Sequence, residues 1–379
     1  MEDSREIRIA LFVPWIKSKG GIERIILKLL ENKKYQFDIY TLFYDRDKTF
    51  AEFKNYRVIQ LNKSEPKGFI GRGIGLFTRL ILTKIKSINK YDIFMISTAG
   101  VSEFITFRNQ HKKTIALCHT PLRVAHTMYG YYRDENKRNR ILLPMTIPLY
   151  KRLEKLAWKR IDYAFVLSEE VKKRLVNYQL IQKKRIFNLG PYANYKIKNV
   201  KRTPEKIIFY PSRFIKYKRQ DLAIKAFERS ELAKDGFKLV IAGFVEDQKY
   251  FQQIKSMENK NIIVKDNLTE NELNRLYNSC YVTLFLAINE DTGLTPLESL
   301  AYGKPVIAVN EGGPKEFIIN EKNGLLVNAD ETHIADALKR VSDKKLYLRL
   351  AKGAINSERY DENRFIKNFD AAVSKALEK

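Results

Sequence analysis

Residues that hold metals or cross-links are scarce in this sequence. Its 379 residues include two cysteines, Cys118 and Cys280, and four histidines. The cysteines lie far apart inside apolar runs, so we expect both to be buried packing residues of a reduced, cytosolic protein. The histidines show no zinc-ligand spacing, and we find no D-x-D sequence in a strand-end position that argues for a metal. We therefore expect neither a metal nor another cofactor.

Long apolar runs are missing as well. No run reaches the roughly 18 uninterrupted apolar residues that a membrane-spanning helix needs. Residues 1–14 (MEDSREIRIALFVP) begin with mixed charges and continue as a strand, unlike the basic-then-apolar layout of a signal peptide. Any contact with a membrane is therefore expected to be peripheral.

Negative charge is in short supply. The chain has 70 Lys and Arg against 44 Asp and Glu, a net charge of +26. Such an excess calls for a polyanionic partner, which could be nucleic acid, an anionic membrane surface or a phosphorylated substrate. The basic residues are spread along many helices, and no helix-turn-helix, zinc or RNA-binding signature is present. Nucleic acid is therefore the less favoured partner.

Short apolar runs alternate with helical patterns from end to end, which is typical of doubly wound parallel sheets. In the first half they are IRIALFVP, FDIYTLF, YDIFMIST, KTIALC and DYAFVLS. In the second half they are KIIFYPS, KLVIAG, NIIVKD, VTLFLAI, KPVIAV and GLLV. The length favours two domains. We predict an α/β protein of two Rossmann-like domains, 1–195 and 196–360, facing across a cleft. Residues 188–206 form the linker, and a helix in 361–379 crosses back to the first domain.

The segment 289–316 (NEDTGLTPLESLAYGKPVIAVNEGGPKE) carries the strongest functional pattern. Glu290 and Glu298, eight positions apart, flank Gly293 and Pro296. The turn at Gly293 can place backbone N–H groups and a helix N-terminus against an anion, whereas the carboxylates accept hydrogen bonds from hydroxyls. A phosphate together with sugar hydroxyls outlines a nucleotide sugar. The alternative is a helix start whose acidic residues merely complement the dipole.

Two further motifs follow predicted strands of the first half. Gly20 and Gly21 precede a helix, where backbone amides could approach a phosphate or sugar closely. Their spacing is neither the nicotinamide-binding pattern nor a P-loop, and a plain tight turn is equally compatible. His119 directly follows an apolar strand in ALCHTPLR, where it could contact substrate. The alternative for His119 is a capping or core histidine.

The second half repeats this placement at strand ends. Arg213 and Lys218 could hold a diphosphate and stabilise charge on a leaving group, although a solvated basic turn is the rival interpretation. Lys216 and Arg219 are expected to be solvated neighbours. Gly243 follows a strand where a small residue allows a ligand to approach closely. Residues 265–268, which include Asp266 and Leu268, could offer backbone atoms to a base, just before a capping box of Thr269 and Glu272.

Taken in this order, the motifs resemble those of the retaining glycosyltransferases of family four, which have the two-Rossmann GT-B fold. The strongest match is the E-x7-E stretch followed by LAYGKPVIA; SRFIKYKRQDLAIKAF, GGIER and CHTPLR resemble three further family segments. The resemblance spans roughly residues 8–330 and is mannosyltransferase-like. Thr292 departs from it, because those enzymes usually carry an aromatic residue there.

The resemblance implies a role for each residue. Glu298 would bind the donor ribose and Glu290 the donor sugar near its C3 hydroxyl. Arg213 and Lys218 would neutralise the diphosphate, and His119 would approach the reacting centre. The donor-binding set is completed by Gly20, Gly21, Gly243, Asp266, Leu268, Gly293, Leu294 and Thr295.

The implied reaction is metal-independent, front-face transfer of a hexosyl group. Mannose from GDP-mannose is favoured over UDP-glucose or UDP-N-acetylglucosamine. The first domain would bind a glycan or polyprenyl-diphosphate-linked acceptor at the cytoplasmic face of a membrane, and the second would bind the donor. A catalytically inactive partner subunit should have lost the glutamates or the Arg–Lys pair, and all four residues are present.

Two basic stretches could meet an anionic membrane. In residues 63–90, Ile70, Ile74, Phe77, Ile81 and Ile85 share one helical face, and basic residues recur on another. Such a stripe can equally be core, since most surface helices of a Rossmann domain have one. A second basic, aromatic region covers 128–140 and 149–160.

Overall fold

The computed structural model describes residues 6–62, 75–192, 203–357 and 362–378. The chain divides into an N-terminal unit, Met1–Tyr192 with Glu362–Lys379, and a C-terminal unit, Ala193–Asp361. Both units are built on parallel sheets. The predicted α/β class with two Rossmann-like domains is therefore confirmed.

The N-terminal unit contains a seven-stranded sheet in the order β5-β3-β1-β6-β7-β8-β9 and a two-stranded pair, β2-β4. The strands are β1 (Ile7–Phe12), β2 (Trp15–Ile16), β3 (Tyr35–Thr41), β4 (Phe43–Tyr44), β5 (Val58–Gln60), β6 (Ile93–Thr98), β7 (Thr114–Cys118), β8 (Tyr163–Val166) and β9 (Ile186–Asn188). Its first helices are α1 (Gly21–Leu30), α2 (Leu76–Leu82), α3 (Tyr129–Asp134), α4 (Lys137–Trp158) and α5 (Glu169–Asn177). Short 3-10 helices occupy Ala51–Asn55, Ile88–Lys90, Ser102–Phe107 and Lys183–Arg185.

The C-terminal unit contains a six-stranded sheet in the order β12-β11-β10-β13-β14-β15. Its strands are β10 (Ile207–Pro211), β11 (Lys238–Gly243), β12 (Ile262–Asp266), β13 (Val282–Phe285), β14 (Val306–Val309) and β15 (Gly324–Val327). Its helices are α6 (Gln220–Ser230), α7 (Gln248–Lys255), α8 (Glu270–Ser279), α9 (Leu294–Ala301), α10 (Glu331–Ser342) and α11 (Lys344–Ile355). Its 3-10 turns are Lys216–Lys218, Leu232–Asp235 and Gly313–Glu316.

Burial on both faces explains the strand sequences. In β1, residues 9–12 are fully buried, and residues 282–285 of β13 are buried as well. Parallel sheets covered by helices on both sides favour such continuous apolar runs over alternation. Both cysteines are buried and free, as predicted. The predicted motifs lie beyond these buried runs, at the strand ends.

The last helix, α12 (Glu362–Leu377), belongs to the N-terminal unit. Phe365 and Phe369 are buried in that unit's core. The Asn368 side-chain amide donates to the Leu189 carbonyl at 2.9 Å, and Lys28 pairs with Glu362 at 2.7 Å. Residues distant in sequence thus complete one core.

The basic stretch 63–90 can be assessed only in part, because residues 63–74, which include Ile70 and Ile74, lie outside the described residues. Ile85 is buried, and Phe77 packs edge-on against Phe104 with ring centroids 4.6 Å apart. Ile81 packs against the same core cluster. The described part of this stripe is therefore core, which favours the second of the two interpretations.

Candidate functional site

Two of the predicted catalytic residues of the C-terminal unit, Lys218 and Glu290, lie beyond the carboxyl ends of two adjacent strands. Lys218 follows β10 and Glu290 follows β13, and β10 pairs with β13 in the sheet. The Lys218 ammonium forms an ion pair with the Glu290 carboxylate. The two side chains are only 9% and 18% exposed, so the pair is shielded from solvent. The sequence predicted separate roles for these residues, and the structure brings them into direct contact.

Arg213 lies in the same cluster. Its guanidinium donates to the Glu246 carboxylate at 2.5 Å and to the Tyr217 hydroxyl at 2.8 Å. Although burial lowers the pKa of Arg213, the neighbouring Tyr217, Glu246 and Glu290 raise it above its ordinary value. Two cations therefore share the field of Glu290, which suits the binding of a doubly charged diphosphate.

The prediction for Arg219 was wrong. Lys216 is exposed, but Arg219 adopts a left-handed conformation with φ 58° and turns inward. It donates to the Leu286 carbonyl at 3.2 Å and to the Glu311 carboxylate at 3.1 Å. Glu311 also accepts from the Asn289 backbone N–H at 3.2 Å. Arg219 and Glu311 thus brace the chain that leads into Glu290, and sequence spacing offered no signal for this pairing.

The second glycine pair, Gly312 and Gly313, packs against the backbone of the loop that carries Glu290. A Cβ atom on Gly312 would lie 2.2 Å from the Glu290 carbonyl oxygen, and one on Gly313 would lie 2.4 Å from the Asp291 carbonyl oxygen. The Gly313 N–H donates to the Glu290 carbonyl at 2.8 Å. Because any side chain would displace this backbone, the glycines fix where Glu290 stands.

Helix α9 begins immediately after Gly293, which has a φ of 83° that favours glycine. The backbone N–H groups of Leu294 and Thr295 occupy the first turn of the helix, where an anion is stabilised. Further along α9, Glu298 accepts a hydrogen bond of 2.6 Å from the Tyr277 hydroxyl. Burial and the Glu298 charge raise the pKa of Tyr277 well above its ordinary value, so Tyr277 stays a donor. Sequence reasoning missed Tyr277.

Three further residues that were predicted to contact the nucleotide sugar lie at the same edge of the sheet. Gly243 ends β11, but a Cβ atom there would lie 2.0 Å from the Ser212 carbonyl oxygen. Glycine is thus required by the protein's own backbone, and its contact with a ligand stays a prediction. Asp266 ends β12 and is exposed, whereas Leu268 packs partly against the core. The predicted capping box of Thr269 and Glu272 is confirmed.

In the N-terminal unit, His119 follows β7 as predicted. Its backbone N–H donates to the Thr98 carbonyl at 2.9 Å, and its Nε2 atom lies 2.9 Å from Ser97 Oγ. The residue is 8% exposed, and Nδ1 has no hydrogen-bond partner within the part of the chain that the structure describes. Burial lowers the pKa of His119 to about 4, so the ring is neutral near pH 7. A buried polar atom without a partner favours a ligand contact over a core role.

The first glycine pair has a less favourable environment for phosphate. Gly20 precedes α1, and Gly21 is its first residue. A Cβ atom on Gly20 would lie 2.7 Å from the Glu23 carboxylate, which accepts from Ser18 Oγ at 2.6 Å. A negative side chain already lies at this turn. The turn is therefore better suited to a hydroxyl group than to a phosphate.

Other candidate features are absent or lie elsewhere. A surface groove of about 480 Å³ lies where β10 and β11 begin, away from the cluster. Ligands of such sheets bind beyond the opposite, carboxyl ends, so this groove is not the candidate site. Within the described residues, no three His, Cys, Asp or Glu side chains converge as metal ligands. Every described helix is too short or too polar to cross a membrane.

The comparisons with known proteins agree with this fold. Residues 192–357 match the family model of glycosyl transferases group 1. The solved structure of Anabaena Alr3699/HepE in complex with UDP and glucose aligns with a TM-score of 0.70 at 13% identity, covering 97% of this chain and 99% of that one. The structure of TarM aligns with a TM-score of 0.68 at 16% identity, covering 100% and 99%. The protein therefore has the GT-B fold.

Curated relatives support the same class over the full length. The chain is 24% identical to the alpha-1,3/1,6-mannosyltransferase ALG2 of Dictyostelium discoideum, covering 99% of this chain and 100% of that protein. The human enzyme of that name is also 24% identical, covering 94% of each. The protein is a glycosyltransferase, and its similarity to group 1 of the glycosyl transferases covers residues 192–357. The predicted enzyme class is confirmed, and the individual residue roles stay predictions.

Proposed function

We propose that the protein transfers a hexosyl group from a nucleotide diphosphate sugar to a glycan or polyprenyl-diphosphate-linked acceptor, with retention at the anomeric carbon. Mannose from GDP-mannose is the favoured donor, because relatives that match over nearly the whole chain are mannosyltransferases. UDP-glucose is the second candidate, since HepE, of similar fold, was solved with UDP and glucose. The observation that carries the proposal is the shielded Lys218–Glu290 pair beside Arg213 and the start of α9.

The ion pair offers a simple way to bind the donor. A diphosphate carries more negative charge than one carboxylate, so it would draw the Lys218 ammonium towards itself, together with Arg213. Glu290 would then be released to accept hydrogen bonds from the sugar hydroxyls. The backbone N–H groups at the start of α9 would bind a phosphate oxygen, and Glu298, held by Tyr277, would accept from the ribose hydroxyls.

Transfer needs no base from the protein in this scheme. The bond between the anomeric carbon and the phosphate oxygen breaks, and the acceptor oxygen bonds to the anomeric carbon from the same face. The acceptor proton moves to an oxygen of the departing nucleoside diphosphate. Lys218 and Arg213 stabilise the charge on that leaving group, as a divalent cation does in other transferases. The neutral His119 would offer Nδ1 to a bound hydroxyl.

We place this reaction at the cytoplasmic face of a membrane, with the protein bound peripherally. The support is the net charge of +26, which complements anionic lipid and a diphosphate-linked acceptor.

The donor is tested with a panel of nucleotide sugars, scored by thermal stabilisation and by slow hydrolysis. GDP-mannose should raise the melting temperature and be hydrolysed, and Glu290→Ala should abolish hydrolysis and transfer while the protein stays folded. If only UDP-glucose gave a response, the donor would be UDP-glucose and not GDP-mannose, and the proposed mechanism would still hold. If no nucleotide sugar or nucleoside diphosphate gave a response, or if Glu290→Ala kept wild-type activity, the proposal would be wrong.

A further inference from the structure

Helix α4 exposes an unusual amount of apolar surface. Its side chains Ile141, Leu142, Met145, Leu149 and Leu156 are between 43% and 72% exposed. These five are half of the ten large apolar side chains that are exposed among the described residues. Single exposed apolar residues are common, but a cluster of this kind on one element marks an interaction surface.

The exposed side chains lie on one face. Ile141, Met145 and Leu149 are four residues apart, and Leu156 follows seven residues later, so all four share one side of the helix. The opposite side is the core side, with Trp158 and Ala157 buried. With 22 residues, α4 is about 33 Å long, so the stripe covers much of its length.

The rotation of α4 is fixed by a buried polar contact on the core side. Glu154 is fully buried and lies 2.8 Å from His126 Nε2. The Tyr150 hydroxyl donates to the other Glu154 oxygen at 3.2 Å. Because turning the helix would leave these buried polar groups without partners, the apolar stripe is held facing outward.

The charge of the side chains on α4 indicates what kind of surface this helix contacts. Within 137–160, a fully described range, the exposed charged side chains are all basic: Lys137, Arg138, Arg140, Lys151, Arg152, Lys155, Lys159 and Arg160. Its one acidic residue, Glu154, is buried. The cations stand at both ends of the helix, with the apolar residues 141–149 between them. Apolar side chains flanked by lysine and arginine are typical of helices that lie in the interface of an anionic membrane.

We propose that this face of α4 docks on an anionic lipid bilayer, with residues 141–149 inserted at the level of the headgroups and the flanking cations on the lipid phosphates. The inference rests on the proposed reaction at a membrane and deepens it, because it assigns the contact to one helix. A second copy of the chain fits less well, since two such faces would bring like charges together. Nucleic acid would leave the apolar stripe without a partner.

The test uses the full chain and sedimentation with vesicles of phosphatidylcholine containing about 30% phosphatidylglycerol, a fraction chosen to give a strongly anionic surface. Wild type should bind these vesicles, bind pure phosphatidylcholine weakly, and lose binding as salt rises. The double substitution Met145→Ser and Leu149→Ser should weaken binding by about tenfold or more, because it removes apolar area from the interface. Leu348→Ser with Ile355→Ser, at exposed apolar positions of α11, is the matched control and should bind as wild type.

Three results would overturn the inference. The first is that wild type does not bind the anionic vesicles, and the second is that the α4 variant binds them as well as wild type does. The third is that wild type is a dimer in ultracentrifugation and the α4 variant is a monomer. Hydrolysis of the nucleotide sugar should be the same in wild type and the α4 variant. Failure of the docking surface is thereby distinguished from failure of the proposed reaction, which would show as no hydrolysis in any variant.

Discussion

Glu290 is held through both its side chain and its backbone. Its carboxylate pairs with Lys218, and its carbonyl accepts from the Gly313 N–H at 2.8 Å. The preceding residue, Asn289, donates its backbone N–H to Glu311. The backbone contacts keep Glu290 in place after Lys218 moves to the diphosphate, so the residue loses little freedom when it binds a sugar.

Neighbouring lysines provide a matched test of the leaving-group role. Lys218→Ala removes the cation beside Glu290 and should lower kcat/KM for transfer by about 100-fold to 1,000-fold, the range seen when one electrostatic contact to developing charge is lost. Lys216→Ala, two positions earlier and exposed, should stay near wild type. Steady-state kinetics with the preferred donor measure both, with circular dichroism to show folding. Equal losses in the two variants would mean that net charge, and not Lys218, is responsible.

Glu103 should make stability depend on pH. Burial and the nearby Glu154 charge raise the pKa of Glu103 to about 7, from 4.5. The folded state therefore holds a proton that the unfolded state releases, and this contribution is present below pH 4.5 and lost as pH rises through 7. Glu103→Gln removes this titration. From pH 5 to pH 8 the free energy of unfolding of the variant should therefore rise relative to that of wild type, by at most about 3 kcal/mol. The difference between the two melting temperatures should change in the same direction. The opposite contribution of His119 is present in both proteins and cancels.

A melting-temperature difference that stays constant from pH 5 to 8 would contradict this prediction. A variant that is destabilised equally at all pH values would show only a packing role for Glu103.

Among the elements, α8 and α9 act together. Tyr277 on α8 donates to Glu298 on α9, and its ring stacks on Tyr302 with centroids 5.5 Å apart. The hydroxyl therefore orients the carboxylate that the family resemblance assigns to the donor ribose. Such a residue positions another one and need not touch the reacting atoms.

Removing that hydroxyl should affect binding more than chemistry. Tyr277→Phe keeps the ring stack and removes one hydrogen bond to a charged group, so KM for the donor should rise by about tenfold with kcat little changed. Tyr302→Phe, which loses a 2.9 Å bond to Asn274 in the same stack, is the control and should keep its KM. A fall in kcat at constant KM would argue against the ribose assignment.

At the scale of the whole molecule, the chain returns to its first unit. Helix α12 places Phe365, Phe369 and Val373 in the core that contains β1 and α1. Phe369 contacts Tyr35 and Phe165 edge-on, with centroids 5.5 and 5.9 Å away. The N-terminal unit is therefore completed only when the end of the chain has been made.

Phe369→Ala tests this dependence. Loss of a fully buried phenylalanine should destabilise the N-terminal unit by about 3–5 kcal/mol. Hydrogen exchange followed by mass spectrometry should show faster exchange in β1 and α1, with β10 and β13 of the other unit unchanged. Lys367→Ala, exposed on the same helix, should exchange like wild type. Unchanged protection of β1 in Phe369→Ala would show that α12 is not part of that core.

Much of the architecture could be predicted because it depends on local pattern. Runs such as those of β1 and β13 are mostly apolar and do not alternate with polar residues, which is typical of strands buried on both faces. The capping box of α8 was predictable for the same reason, since its partners are three residues apart. The environment of Arg219 was not, because its partner Glu311 is 92 residues away.

The sequence alone determined the βα alternation, the placement of the motifs at strand ends and the chemical types of the site residues. The tertiary structure decided which of them meet. Lys218 and Glu290 are 72 residues apart and touch because β10 lies next to β13, and Tyr277 reaches Glu298 across 21 residues. Strand order is set by how all the helices and strands pack together, and no short stretch of sequence specifies it. The same packing turns α4 so that its apolar stripe faces outward, which its periodicity alone did not reveal.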